Sequence, residues 1–328
     1  MTGSTWDRID GLARLAPTPH NTQPFRVRPL DERNAEIVVI ADRLLPREDH
    51  GNLYTASAFG ILAETIRLAG LHHGLVVDVA PMDGIVPGTL HEQPRTVVGR
   101  IAIVGECKPS DQRGLLEARR TSRLPYRNSP AACDTVEALT VAAARHDHRF
   151  LAFDDAATVR WMMRRNVDAV IDNLQLDDER DEIRGWYRSG ATPAIGDGLW
   201  VEPMNQPSWE LRVAFAAPRV FGLPGVRQVA SARYLRTQRG TRHVALICGA
   251  FRTWPELTAA GRMLLELWLE MARHDVYMHP MGSMLTNPRH ADAVARRFGV
   301  DDCWLALRFG YSDPPPRAPR LSTILTYE

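Results

Sequence analysis

The chain has 328 residues, 45% hydrophobic and 24% charged, ordinary for a folded protein with ample core. A formal net charge of +1 gives no general attraction to nucleic acid or to an anionic membrane surface. Cys107, Cys133, Cys248 and Cys303 are far apart with no Cys-x-x-Cys, which argues against zinc and for a reducing compartment. Neither a basic-then-apolar leader nor a bilayer-spanning apolar run is visible, so the expectation is a cytoplasmic protein. Lys108 is the only lysine, which discounts Schiff-base chemistry.

Trp6, Ile9, Leu12 and Leu15 recur at three-residue steps and predict a short helix over 5–15. It runs into Ala-Pro-Thr-Pro-His-Asn-Thr-Gln-Pro-Phe-Arg at 16–26, where Pro17, Pro19 and Pro24 forbid helix and predict a rigid, extended loop. A hairpin is expected over 25–30 and 35–41, then a long small-residue helix over 52–74 stopped by Gly74. Strands follow near 75–80 and 97–104. A helical run from Asp111 ends in Arg119-Arg120-Thr121-Ser122-Arg123, and helices are expected over 134–145 and 156–176.

Residues 177–240 carry several Gly, Pro and aromatic residues and predict an irregular, lid-like insertion. After it come a buried strand at 244–249, a long helix over 254–274, a strand-like stretch ending at Pro280-Met281-Gly282, a late strand at 304–309 and a Pro-rich tail. Both long helices, 52–74 and 254–274, carry a small-residue patch and lead into a strand. That pattern fits either an internal duplication joined near 105–115 or two unrelated apolar helices.

Chemistry concentrates in two places. An amide such as Asn21 offers donor and acceptor together, which suits an imide edge, although the same run also reads as a plain helix-to-strand turn. Arg119, Arg120 and Arg123 with Thr121 form the densest cationic group; this is either a solvated helix end or a phosphate cradle, since guanidinium forks and a hydroxyl suit phosphate. His146-Asp147-His148 lacks a further separated ligand and is read as surface rather than metal. Gly-x-Gly-x-x-Gly, Gly-x-x-x-x-Gly-Lys and Gly-x-Ser-x-Gly are absent, which leaves Rossmann, P-loop and α/β-hydrolase readings without support.

Pro17-Thr18-Pro19-His20-Asn21-Thr22-Gln23-Pro24-Phe25 resembles the Pro-Ser-x-x-Asn-x-Gln-Pro-Trp signature of FMN-dependent nitroreductases, with Thr18 for Ser and Phe25 for Trp. Arg119-Arg120-Thr121-Ser122-Arg123 resembles the Arg-x-Ser-x-Arg phosphate motif of the same superfamily. Met281-Gly282 stands where the family has a glycine whose backbone faces flavin N5, and Gly310-Tyr311 with Pro316-Arg317-Ala318-Pro319-Arg320 resembles its C-terminal ending. The order is inverted, with the ring loop ahead of the phosphate motif, which resembles the Acg-like branch with fused halves.

The resemblance implies an α+β, nitroreductase-like fold of two fused pseudo-symmetric halves, each a mainly antiparallel sheet flanked by helices. The halves would be 1–110, carrying the flavin-ring loop, and 111–328, carrying the phosphate motif and the 177–240 insertion. It implies FMN contacts from Pro17, Thr18, Pro19, Asn21, Gln23, Arg119, Arg120, Thr121, Arg123, Met281, Gly282, Arg317 and Arg320, with Gly282 at N5. The implied activity is hydride transfer between NAD(P)H and a small flat acceptor by a monomer (already a pseudo-dimer) or an optional homodimer. Two alternatives are a flavin-sequestering protein with little turnover and a flavin-free scaffold recruited to other chemistry.

Overall fold

The computed structural model describes residues 4–190 and 196–327. Helix α1 (Thr5–Ala13) starts at a capping box in which Ser4 Oγ accepts from the Asp7 N–H and the Asp7 carboxylate accepts from the Ser4 N–H. After the Pro-rich loop come β1 (Phe25–Pro29), β2 (Asn34–Ile40), α2 (Leu53–His72), β3 (Leu75–Pro81) and β4 (Arg95–Glu106). These strands form an antiparallel sheet in the order β1-β2-β4-β3. A connecting helix, α3 (Arg113–Ala118), carries the arginine motif at its C-terminal end.

The path then repeats. Helix α4 (Cys133–Ala144) and β5 (Arg149–Phe153) are followed, after an insertion, by β8 (His243–Cys248), α11 (Trp254–Arg273), β9 (Tyr277–Pro280) and β10 (Cys303–Gly310). The second antiparallel sheet has the order β5-β8-β10-β9, the same as the first when β5, β8, β9 and β10 are matched to β1 to β4. In each sheet the long helix joins the second strand to the third.

Helices α2 and α11 pack against each other at the centre of the larger core. A Cβ on Gly60 would stand 2.0 Å from the Thr258 carbonyl oxygen, and one on Gly261 would stand 1.8 Å from that of Ser57. The two contacts are reciprocal, Ser57-x-x-Gly60 against Thr258-x-x-Gly261, so small residues at both places let the backbones touch. The C-terminal tail returns to the first sheet, where the Val27 N–H donates to Ile324 O (2.8 Å) and the Thr326 N–H to Val27 O (2.9 Å).

The insertion departs from expectation. Helix α5 (Ala156–Asn173) precedes it as expected, but the described residues of the insertion are mostly helical too: α6 (Asp177–Trp186), α7 (Val201–Met204), α8 (Ser208–Ala216), α9 (Pro218–Gly222) and α10 (Pro224–Thr237), with the short strands β6 (Tyr187–Arg188) and β7 (Leu199–Trp200). Prolines read as breakers instead start helices, Pro207 as N-cap of α8, Pro218 and Pro224 in the first turns of α9 and α10. A proline there gives up only an N–H that has no helical partner. The strand β5 and the helices α12 (Ser283–Thr286) and α13 (Pro288–Phe298) were also unanticipated.

Candidate functional site

The Pro-rich loop is a tight turn rather than an extended segment. His20, Asn21 and Gln23 take positive φ of 45°, 55° and 50°, three left-handed residues within four positions and none of them glycine. Such backbone is held only where the surroundings over-determine it. Thr18 supplies much of that hold, its carbonyl accepting from the Asn21 N–H (3.0 Å) and its Oγ1 from the Gln23 N–H (2.9 Å). Arg43 Nε donates to Thr22 O (3.1 Å) and Arg26 Nη1 to Gln23 O (3.0 Å).

The side chains of this loop pin two other segments. Asn21 Nδ2 donates to Pro319 O (2.9 Å) and Gly198 O (3.3 Å), and its Oδ1 accepts from Arg320. Gln23 Nε2 donates to Gly196 O (2.7 Å) while its Oε1 accepts from the Leu321 N–H (3.0 Å). Both amides are buried and engaged by protein, which differs from the free donor and acceptor that the sequence suggested Asn21 would offer an imide edge.

The segment from Gly196 to Met204 forms a strap over this loop. Asp197, 3% exposed, receives both Nη atoms of Arg43 (2.5 and 3.1 Å) and Arg188 Nε (3.2 Å). A Cβ on Gly196 would stand 1.9 Å from Arg320 O, so only glycine allows the strap to lie this close to the tail.

Opposite the loop stands the end of α3. Arg119 is 7% exposed, stacked 4.6 Å over the Trp268 ring, and its Nη2 donates to Leu15 O (3.1 Å). Among the described residues no carboxylate pairs with it. Burial, with Arg320 beside it, pushes its pKa down to about 9, and burial brings Arg320 to about 10. Both remain cations at neutral pH, and both point donors at the one Leu15 carbonyl. Arg120 Nη1 donates to Pro315 O (2.9 Å). Arg123 is likewise pushed down by burial; its Nη1 reaches Pro203 O at 3.4 Å.

The arginine segment is fixed from below. The Ser122 N–H donates to Met278 O (3.0 Å), and Arg308, fully buried in β10 over the Tyr126 ring, donates to Ser122 O (3.3 Å) and Leu124 O (3.0 Å).

These four segments enclose one cavity. Its wall includes Pro17, Thr18 and Asn21 from the loop, Arg119, Arg120, Thr121 and Arg123 from the motif, and Arg317 and Arg320 from the tail. Five arginines therefore face a wall whose one acidic residue, Glu117, already lies 3.6 Å from Arg317 and 3.4 Å from Arg113. A dianion with several oxygen acceptors would satisfy this surplus, and phosphate is that kind of group.

Four expected residues are not brought to the wall. Pro19 and Gln23 shape the turn behind it. Met281 packs with Met162, Met163 and Met284 in the second core, and its N–H donates to Ala306 O (2.7 Å), so its backbone is engaged in the fold. Gly282 starts α12, and a Cβ there would meet nothing within 4 Å, so no close approach of protein atoms demands glycine.

His20, Glu117 and the strap residues Gly198, Leu199, Trp200, Pro203 and Met204 line the cavity without having been singled out as ligand contacts. His20 sits inside the quoted loop signature, which was the available signal. The strap residues lie within the 177–240 segment expected to be lid-like, although no motif singles out individual residues there.

No family model and no curated protein matches the chain. Solved structures do. The FMN-dependent nitroreductase NfnB from Mycobacterium smegmatis, solved with NADPH, is 18% identical, matching 63% of this chain and 92% of its own at a TM-score of 0.38. A nitroreductase with bound FMN from Desulfitobacterium hafniense is 13% identical over 64% of this chain and 95% of its own, TM-score 0.38. Nitroreductase CinD from Lactococcus lactis, solved with nicotinic acid, is 16% identical over 62% and 91%, TM-score 0.33. The chain is similar to solved FMN-dependent nitroreductases, at a level of likeness that leaves its function to be argued from its own residues.

Proposed function

We propose that this protein is an FMN-dependent oxidoreductase of nitroreductase type, passing a hydride from NAD(P)H to a small flat organic acceptor. The observation that carries the reading is the meeting of Arg119, Thr121, Arg123 and Arg320 with the Pro17–Asn21 turn around one cavity, with buried guanidinium donors and, among the described residues, no carboxylate to receive them. Flavin, when bound, supplies the two-electron chemistry. Arg119, Arg320 and Thr121 would hold its phosphate, and Pro17, Thr18 and Trp200 would border its ring.

The donor set fits the group, but the space is tight. The cavity measures about 140 Å³, below the roughly 300–1,000 Å³ of sites that enclose such a ligand. Entry therefore requires the strap at 196–204 to lift from Asn21 and Gln23. Two halves, 1–110 and 111–328, are proposed to descend from one duplicated unit, supported by the matched strand orders and the reciprocal Gly60 and Gly261 contacts. A single chain would then carry both sides of one flavin site and need no partner copy.

The strap favours a second reading, a flavin-holding protein with little turnover, because it covers the loop where a hydride donor would dock. Adding NADPH anaerobically to the FMN-loaded protein separates the two. Loss of the flavin's visible band, restored by an acceptor, is the expected result. Bound FMN that NADPH cannot bleach would establish the second reading instead.

A further inference from the structure

His20 is the one wall residue that can exchange a proton near neutral pH. Among the described residues of the wall, the other ionisable groups are the five arginines and Glu117, which lies among Arg113 and Arg317. Tyr126 is elsewhere, its hydroxyl directed at the carbonyls of Ser122, Tyr277 and Arg308 at 3.3–3.5 Å, and burial pushes it up to about 12.

His20 is also oriented. Its Nε2 is bonded to Glu48 Oε2, and both side chains are largely buried. Its Nδ1, on the opposite edge of the ring, has no hydrogen-bond partner among the described residues. His20, whose backbone is left-handed at φ 45°, lines the cavity beside Thr18 and Asn21. Behind it, Glu182 of α6 accepts from the Arg47 N–H (3.1 Å) and Glu48 N–H (2.9 Å), and Glu179 of α6 lies 3.6 Å from His50. A carboxylate behind an imidazole that faces a ligand cavity fixes the ring and stabilises its charged form.

We propose that His20 is the proton donor of this site, with Glu48 as its positioning partner. The inference rests on the flavin reading above. A quinone that receives a hydride gains two electrons and one proton, and needs one further proton at oxygen to become the hydroquinone. A nitro group needs the same set to give a nitroso group and water. NAD(P)H supplies the hydride and becomes NAD(P)+. His20 Nδ1–H supplies the remaining proton, and the ring recovers it from water.

The charges facing the ring agree with that role. Burial and Arg123 on the motif segment favour neutral imidazole, whereas Glu48 and, more distantly, Glu182 favour imidazolium; the net effect raises His20 above its ordinary value. The charged ring is thus favoured more than in an ordinary histidine, and its proton becomes unavailable as pH rises through the raised value.

The test has two parts on the full-length protein. Without ligand, the His20 ring resonance, assigned by its loss in His20→Gln, should titrate above the ordinary histidine value and shift down in Glu48→Gln. A normal titration indifferent to Glu48→Gln overturns the proposal whether or not flavin binds. On the FMN-loaded protein, reoxidation by a quinone is compared with reoxidation by ferricyanide, which takes electrons without a proton. His20→Gln should lower the quinone-to-ferricyanide ratio at least tenfold and flatten its fall with pH. An unchanged ratio and pH profile overturns the donor role while leaving the flavin reading intact. Failure of the wild-type protein to bind FMN overturns both.

Discussion

Arg119 is costly to bury. A guanidinium held away from water with carbonyl and ring partners, and with a second cation beside it, is destabilising until an anion arrives. Replacing it by methionine keeps an unbranched side chain against Trp268 and removes the charge. Arg119→Met is expected to leave the melting temperature of the ligand-free protein unchanged or higher, while FMN binds more weakly. Loss of charged hydrogen bonds worth about 1.5–3 kcal/mol corresponds to roughly a 10- to 100-fold weaker affinity. Scanning calorimetry and a binding titration read the two effects separately. A destabilised variant with native affinity would make Arg119 a structural residue.

The strap is the element that decides access. Asp197 joins it to Arg43 near the loop and to Arg188 after α6, and both guanidinium groups also lie over Trp186 at 5.7 and 5.6 Å. Removing one partner of a buried ion pair costs about 3–5 kcal/mol where it leaves charge uncompensated. Here the loss falls on a segment held otherwise by Asn21, Gln23 and Arg123. Asp197→Ala is expected to open the strap without unfolding the sheets, so FMN association quickens at least tenfold and limited proteolysis cuts within 196–204. Unchanged association kinetics would mean that the ligand enters by another path.

The same elements show what was legible in the sequence. The two central helices were readable because small and apolar residues leave no other structure for them. The arginine motif and Pro-rich run were readable as chemistry because each groups its residues within a few positions. Three left-handed residues between Pro19 and Pro24 were hidden because none is glycine, and the turn is enforced by partners in the strap, the tail and Arg43. Helices α8 to α10 were hidden because proline was read as a stop where it serves as a start. Met281 and Gly282 were matched by local pattern alone; neither lines the cavity, and Met281 packs in the second core.

In the whole molecule, the crossing of α2 and α11 holds the two sheets together, and the cavity depends on both sides. The loop comes from the first half and the arginine segment is pinned to β9 and β10 of the second, with the tail passing back to β1. Gly261→Ala would place a Cβ 1.8 Å from the Ser57 carbonyl oxygen. Overpacking of a close contact costs about 1–3 kcal/mol, so a lower melting temperature is expected together with weaker FMN retention, because the halves must separate slightly. Native stability in this variant would show that the crossing tolerates movement and that the site does not depend on it.

Titration of the ligand-free protein with FMN, and in parallel with riboflavin, is the measurement to make first. Riboflavin has the same ring and lacks the phosphate. One FMN per chain, bound at least a hundredfold more tightly than riboflavin, is the result expected of a cavity whose arginines hold phosphate. Equal affinity for the two, or no binding of either, would contradict the assignment of this cavity as a flavin mononucleotide site.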